Sequence, residues 1–113
     1  MMLTLLLTLA CTQPAYIPNE PAPVDTAYEA TIPCSTYSVN QTTFTLRNES
    51  AETVRLYWRD TDCVESLYAE VVAGGSRTQE GYLAAVWVLR DLNDQLLDWF
   101  IADQPGPYDV VYP

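Results

Sequence analysis

From residue 42 onward the chain is a series of short runs of β-forming residues, each closed by turn residues, recurring at about ten-residue intervals. Thr42-Thr43-Phe44-Thr45-Leu46-Arg47 alternates polar and apolar side chains. Asn48 to Glu52 is a turn, and Thr53 to Arg59 is the next run, with Val54, Leu56 and Trp58 on one face and Arg55, Tyr57 and Arg59 on the other. Asp60-Thr61-Asp62 turns the chain into Leu67–Val72, Ala73-Gly74-Gly75 ends that run, and Ser76–Tyr82 follows. Ala85 to Arg90 is apolar on both faces, as a strand at the centre of a sandwich is. Asp91 to Ile101 reads as a turn and a strand at 96–101, with a helical turn as the alternative. Tyr108 to Tyr112 is the last run. The pattern predicts an all-β fold, a small seven-stranded antiparallel β-sandwich.

The N-terminal part follows different rules. Met1 to Ala10 is an apolar run too short to span a bilayer as a helix, which takes about 20 residues, and it fits the apolar stretch of a secretory signal. Cys11 directly after Leu9-Ala10 resembles a bacterial lipobox, in which that cysteine carries lipid and becomes the mature N-terminus. Thr8 and the lack of a basic residue ahead of the run depart from that pattern. An ordinary signal with Cys11 as a bystander, or a buried apolar N-terminus, are the alternatives. Thr12 after the cysteine resembles an outer-membrane address. Residues 11–33 form an acidic linker interrupted by Pro14, Pro18, Pro21, Pro23 and Pro33, which reads as an extended spacer. The expected layout is a signal peptide at 1–10, the linker at 11–33 and the sandwich at 34–113. The expected location is the cell envelope, as an outer-membrane lipoprotein held to the membrane by its N-terminal lipid, or else secreted or periplasmic.

A domain of roughly 80 residues has a small core and often needs a covalent staple. With Cys11 lipidated, Cys34 and Cys63 remain, and in an oxidising compartment such a pair reads first as a disulfide. It would close a loop of about 30 residues, worth roughly 3–4 kcal/mol in the chain-entropy account.

Charge and missing residue types exclude several functions. Fifteen Asp and Glu stand against five Arg, giving a net charge of −10 with no Lys and no His. The arginines are scattered, so there is no basic patch to neutralise phosphates, and nucleic acid is excluded as a partner. Without His the commonest general base and metal ligand are missing, and without Lys there is no amine nucleophile. Two thiols make half a zinc site at best. Asp60 and Asp62 are turn residues, too few for a hard cation. No metal and no cofactor are expected. No catalytic residue emerges: Glu65, Glu70 and Glu80 are the only carboxylates positioned for hydrolytic work, and the expectation is that the protein is not an enzyme.

Taken in order, Phe44-Thr45-Leu46-Arg47-Asn48-Glu49-Ser50, Val54-Arg55-Leu56-Tyr57-Trp58, Tyr68, Gly74-Gly75-Ser76, Tyr82 and Val86-Trp87-Val88-Leu89-Arg90-Asp91 resemble the β domain of the von Hippel–Lindau (VHL) family. The resemblance runs from Phe44 to Asp91. It implies a seven-stranded sandwich that grips a hydroxyproline-containing peptide along a sheet edge. Trp58, Tyr68, Tyr82 and Trp87 match the aromatic part of that peptide site. The hydrogen-bonding part does not match: Gly81 and Ala85 stand where the family has a serine and a histidine, and Glu80 replaces a second histidine. Such a slot holds a proline or a flat apolar group but loses discrimination for the hydroxyl. Cys63 stands in a hairpin turn where the family carries glycine, consistent with a turn tied to Cys34. The family's helical domain, which recruits a ubiquitin-ligase scaffold, has no counterpart in this sequence, and no such scaffold is expected. The expectation is a non-catalytic, lipid-anchored module that binds a protein or extended peptide segment through Trp58, Tyr68, Tyr82 and Trp87. The alternative is a structural envelope lipoprotein whose aromatics only fill a core.

Overall fold

A computed structural model describes residues 29–113. The signal-like run, Cys11 and residues 12–28 of the linker lie outside the described residues. Seven strands follow: β1 Gln41–Asn48, β2 Val54–Arg59, β3 Glu65–Val71, β4 Ser76–Tyr82, β5 Val86–Arg90, β6 Leu96–Ile101 and β7 Tyr108–Tyr112. They form a three-stranded sheet in the order β4-β1-β7 and a four-stranded sheet in the order β3-β2-β5-β6. The all-β sandwich read from the sequence is the fold of the described chain.

Antiparallel pairing holds throughout except at one seam. β1 and β7 run parallel, with Phe44 opposite Tyr108 and Asn48 opposite Tyr112, which corrects the expectation of a wholly antiparallel sandwich. Parallel partners need a long crossover, and here the five intervening strands supply it. Period-two alternation carries no information on strand direction. The chain enters β7 through Gly106, where a Cβ would collide with the backbone of Thr43, so only glycine permits this approach to β1. The helical alternative for the segment from Asp91 is excluded, since it forms a tight turn followed by β6.

Two hairpin turns share one construction. The Asp60 carboxylate accepts the backbone N–H groups of Asp62 and Val64 at 2.8 and 2.9 Å, and Asp91 accepts those of Asn93 and Gln95 at 2.8 and 2.9 Å. In each, the fourth residue is left-handed: Cys63 at φ 65° and Asp94 at φ 67°. This is a turn closed by a residue where glycine is the usual occupant. Asp60 and Asp62 are thus turn residues, and no cluster fit for a metal ion exists among the described residues.

The inward faces bury Phe44, Leu46, Val54, Leu56, Val71, Trp87 and Leu89 as one core. Phe44 of one sheet meets Trp87 of the other edge-on, with centroids 5.2 Å apart. β5 is buried on both faces, as its sequence implies. Its outward Val86 and Val88 are covered by Tyr57, Leu96, Trp99 and Ile32. Ile32 is 4% exposed, so packing on the sandwich begins before Cys34.

Asn48 is fully buried at the end of β1 and every polar atom of its side chain is used. Nδ2 donates to the carbonyls of Glu52 and Val71 at 2.7 and 2.9 Å, while Oδ1 accepts from the N–H and hydroxyl of Ser50. The bond to Val71 ties the two sheets together, and the four hydrogen bonds offset the desolvation of the buried amide.

On the outer face of the four-stranded sheet, Glu65 bridges Arg59 at 2.9 Å and Arg90 at 3.0 Å, and Arg90 reaches Glu29 at 3.0 Å. Arg59 also donates to the carbonyls of Ile32 and Pro33, so the network straps residues 29–33 to the sheet. Burial alone would push the Glu65 carboxyl up; the hydrogen bonds and charge of Arg90, then of Arg59, outweigh it and hold it below the usual carboxylate range. A carboxyl lowered on folding stabilises fully above its unfolded pKa, and that contribution is lost as pH falls through the folded value. Urea midpoints of the wild type should therefore fall more between pH 6 and pH 3.5 than those of Glu65→Gln, which should be weaker at pH 6 and flatter with pH.

Cys34 and Cys63 are joined by a disulfide, with Cα atoms 4.6 Å apart, across a sequence separation of 29. The bond fastens the strand-free segment before β1 to the β2–β3 turn. Removing it as the pair Cys34→Ser with Cys63→Gly should cost about 3 kcal/mol, read from urea denaturation. Cys34→Ser with Cys63→Ala should cost about 1 kcal/mol more, because alanine at position 63 keeps the left-handed strain that glycine removes.

Candidate functional site

Immediately after Cys34, the segment 35–39 is sutured across one end of the sandwich. The Ser35 hydroxyl donates to the Arg59 carbonyl and accepts the Val86 N–H at 2.7 Å, bridging the end of β2 to the start of β5. Ser35 N–H donates to Asp60 and Thr36 N–H to Ala84. Tyr37 and Val39 are left strongly exposed. This segment is one wall of a groove of about 570 Å³, within the range of ligand sites.

The other walls come from β2, β3, β4 and β5, and all four aromatic residues singled out from the sequence line the groove: Trp58, Tyr68, Tyr82 and Trp87. They reach it by simple geometry. Trp58 and Trp87 are direct partners across β2 and β5 and so share a face, and Tyr68 comes from β3 on the other side of β2. Tyr68 stands edge-to-face with Trp87 at 5.3 Å and 89°, and with Trp58 at 6.3 Å and 76°. Tyr82 ends β4 of the opposite sheet. The groove therefore straddles the seam between the sheets.

The four differ in burial. Trp87 is 2% exposed and forms the floor, packed on Phe44 beneath, so it serves the core and the groove at once. Trp58 is half-buried against the same core. Tyr68 and Tyr82 are 43% and 47% exposed and present their rings to solvent. Gly81 lies over the indole of Trp87: a Cβ there would sit 3.2 Å from Cζ2 and 4.0 Å from Nε1, so a side chain at this position would press on the ring that the bare backbone packs against. The Trp87 indole N–H is buried with no partner among the described residues. Ala85 adds only a methyl to the lining.

The three carboxylates considered for hydrolytic chemistry are far from equivalent. Glu65 is tied to Arg59 and Arg90 on the outer face, and Glu70 pairs with Arg55 at 2.9 Å. Of the three, Glu80 alone lines the groove, so no pair of them flanks a common point there. Sequence reasoning missed the wall at 35–39, which has neither periodicity nor a motif. The one signal available was covalent: a Cys34–Cys63 bond draws the residues after Cys34 toward the turn that follows Trp58.

Fold and site together define a small, disulfide-tied β-sandwich with an aromatic groove at the seam of its sheets. The chain matches no protein-family model and no curated protein.

Proposed function

We propose that this protein is a non-catalytic binding module of the VHL β-domain kind, holding an extended and proline-containing protein segment in the aromatic groove. The observation that carries the reading is the convergence of Trp58, Tyr68, Tyr82 and Trp87, from both sheets, on one concave and largely apolar surface. Rigid aromatics offer flat contact area at low entropic cost and suit the ring of proline. The edge of β4, unpaired among the described residues, runs alongside Glu80, Gly81 and Tyr82, and an extended segment can add its backbone to such an edge while its side chains enter the groove. The resemblance to the VHL family supports the same placement, while Gly81 and Ala85 remove the groups that would select a hydroxylated proline.

The rival reading, a sandwich that only packs, accounts well for Trp87. It leaves Tyr68 and Tyr82 exposed on a concave face without a reason. A proline-rich peptide titrated against tryptophan fluorescence separates the two. Saturable quenching is expected, weakened about tenfold or more by Trp58→Ala and by Tyr68→Ala with circular dichroism unchanged. No binding at all would sink the proposal.

The module is placed at a bacterial cell envelope, held by lipid on Cys11 with the proline-rich stretch as spacer. The leucine-rich run before Cys11 supports this, and a disulfide suits an oxidising compartment. Mass spectrometry of the mature protein should find an N-terminal diacylglyceryl cysteine at position 11. A mature N-terminus elsewhere, or an unmodified Cys11, would remove the anchor from the proposal.

A further inference from the structure

The chain carries within itself a segment of the kind its groove is built to hold. Residues 12–28 include Pro14, Pro18, Pro21 and Pro23, with Ile17, Ala22 and Val24 among them. Proline-rich sequence enters aromatic-lined grooves at low entropic cost. From Thr12 to Val24 the one charged residue is Glu20, so this part of the linker brings little like charge to a protein of net charge −10. The groove, for its part, leaves Tyr37, Tyr68 and Tyr82 exposed around the buried Trp87 floor.

The point where the linker joins the sandwich puts those prolines within reach. A single nitrogen of Arg90, Nη2, bonds the Glu29 carboxylate at 3.0 Å and that of Glu65 at 3.2 Å, so Glu29 is held beside the start of β3. Tyr68 stands three residues further along β3, about 10 Å away along the strand. β3 is the edge of its sheet, so a chain passes from the outer face to the groove over an edge and not through the fold. Pro23 is six residues ahead of Glu29, a span of up to about 20 Å when extended, and Pro18 has further slack. We infer that residues 18–23 of the linker occupy the groove of their own molecule, and that an outside segment binds by displacing them. A short tether holds such a segment at an effective concentration of about 1 mM, above what the linker of a second copy reaches in solution. The linker is thus spacer and resident ligand at once.

This inference deepens the segment-binding reading above and rests on it. The mature chain with Cys11→Ser, which leaves the lipid out, is compared with the same chain also carrying Pro18→Ser, Pro21→Ser and Pro23→Ser. Two probes are titrated against both by calorimetry: a synthetic peptide of residues 17–24 and a pentaproline peptide. For a free Kd of about 0.1 mM, a tethered competitor at about 1 mM weakens binding roughly tenfold, so the serine variant should bind both peptides about tenfold more tightly. The indole N–H resonances of Trp58 and Trp87 should differ between the two proteins, unchanged by tenfold dilution. Trp99, packed with Ile32 on the outer face, should keep its resonance. Equal affinities in both proteins would overturn the inference and leave segment binding standing. So would pentaproline binding without binding of the 17–24 peptide, or a shift confined to Trp99, which would lay the linker on the outer face. Indole shifts that fade on dilution would assign the segment to a second copy and overturn it too. Failure of both peptides to bind the serine variant would end both readings.

Discussion

The contact between Phe44 and Trp87 is the joint on which the molecule turns. Each ring comes from a different sheet, and their edge-on packing fixes how far apart and at what offset the sheets lie. Below it the apolar core continues through Leu46, Val54, Leu56 and Leu89. Above it the upper side of the Trp87 indole becomes the floor of the groove. One residue thus belongs to the core and to the groove together. A domain this small has few interior positions to spend, and placing the groove directly over the core gives its walls a rigid base without further mass.

Three ties surround that joint and hold the ends of the sandwich. Asn48 links the sheets at one end through buried amide bonds. The Cys34–Cys63 bond and Ser35 fasten the lead-in segment at the other. The Arg59–Glu65–Arg90–Glu29 network straps residues 29–33 across the outer face of β5. The last is ionic on a face that a sandwich of this size leaves half-wet, so its worth depends on pH and salt in a way that the disulfide and the amide do not.

Much of the fold was legible because strands write their period into the sequence. β4, β6 and β7 lie where alternation and turn residues place them, and the continuous apolar run of β5 told of burial on both faces. What was not legible is non-local. Strand direction at the β1–β7 seam leaves no periodic mark. Asn48 looks like an ordinary turn residue in sequence, since only the approach of Val71 reveals it as a buried anchor. The strapping of Glu29 and Ile32 onto β5 cannot be inferred from a stretch full of prolines. The aromatic members of the site, Trp58, Tyr68, Tyr82 and Trp87, were singled out through the resemblance to the VHL β domain, which matches them position by position. The wall at 35–39 escaped because nothing in its own composition marks it.

The parallel pairing of β1 with β7 has a consequence for how the domain comes into being. The four-stranded sheet is stitched largely from near neighbours, β2 with β3 and β5 with β6, whose ends are brought together by short turns. The three-stranded sheet joins residues as distant as Phe44 and Tyr108, and its closure carries the larger entropy of a long loop. The groove lies on the border between these halves. Its tryptophans belong to the four-stranded sheet and Tyr82 to the three-stranded one, so the groove takes its shape only where the locally paired half and the half closed by distant residues meet.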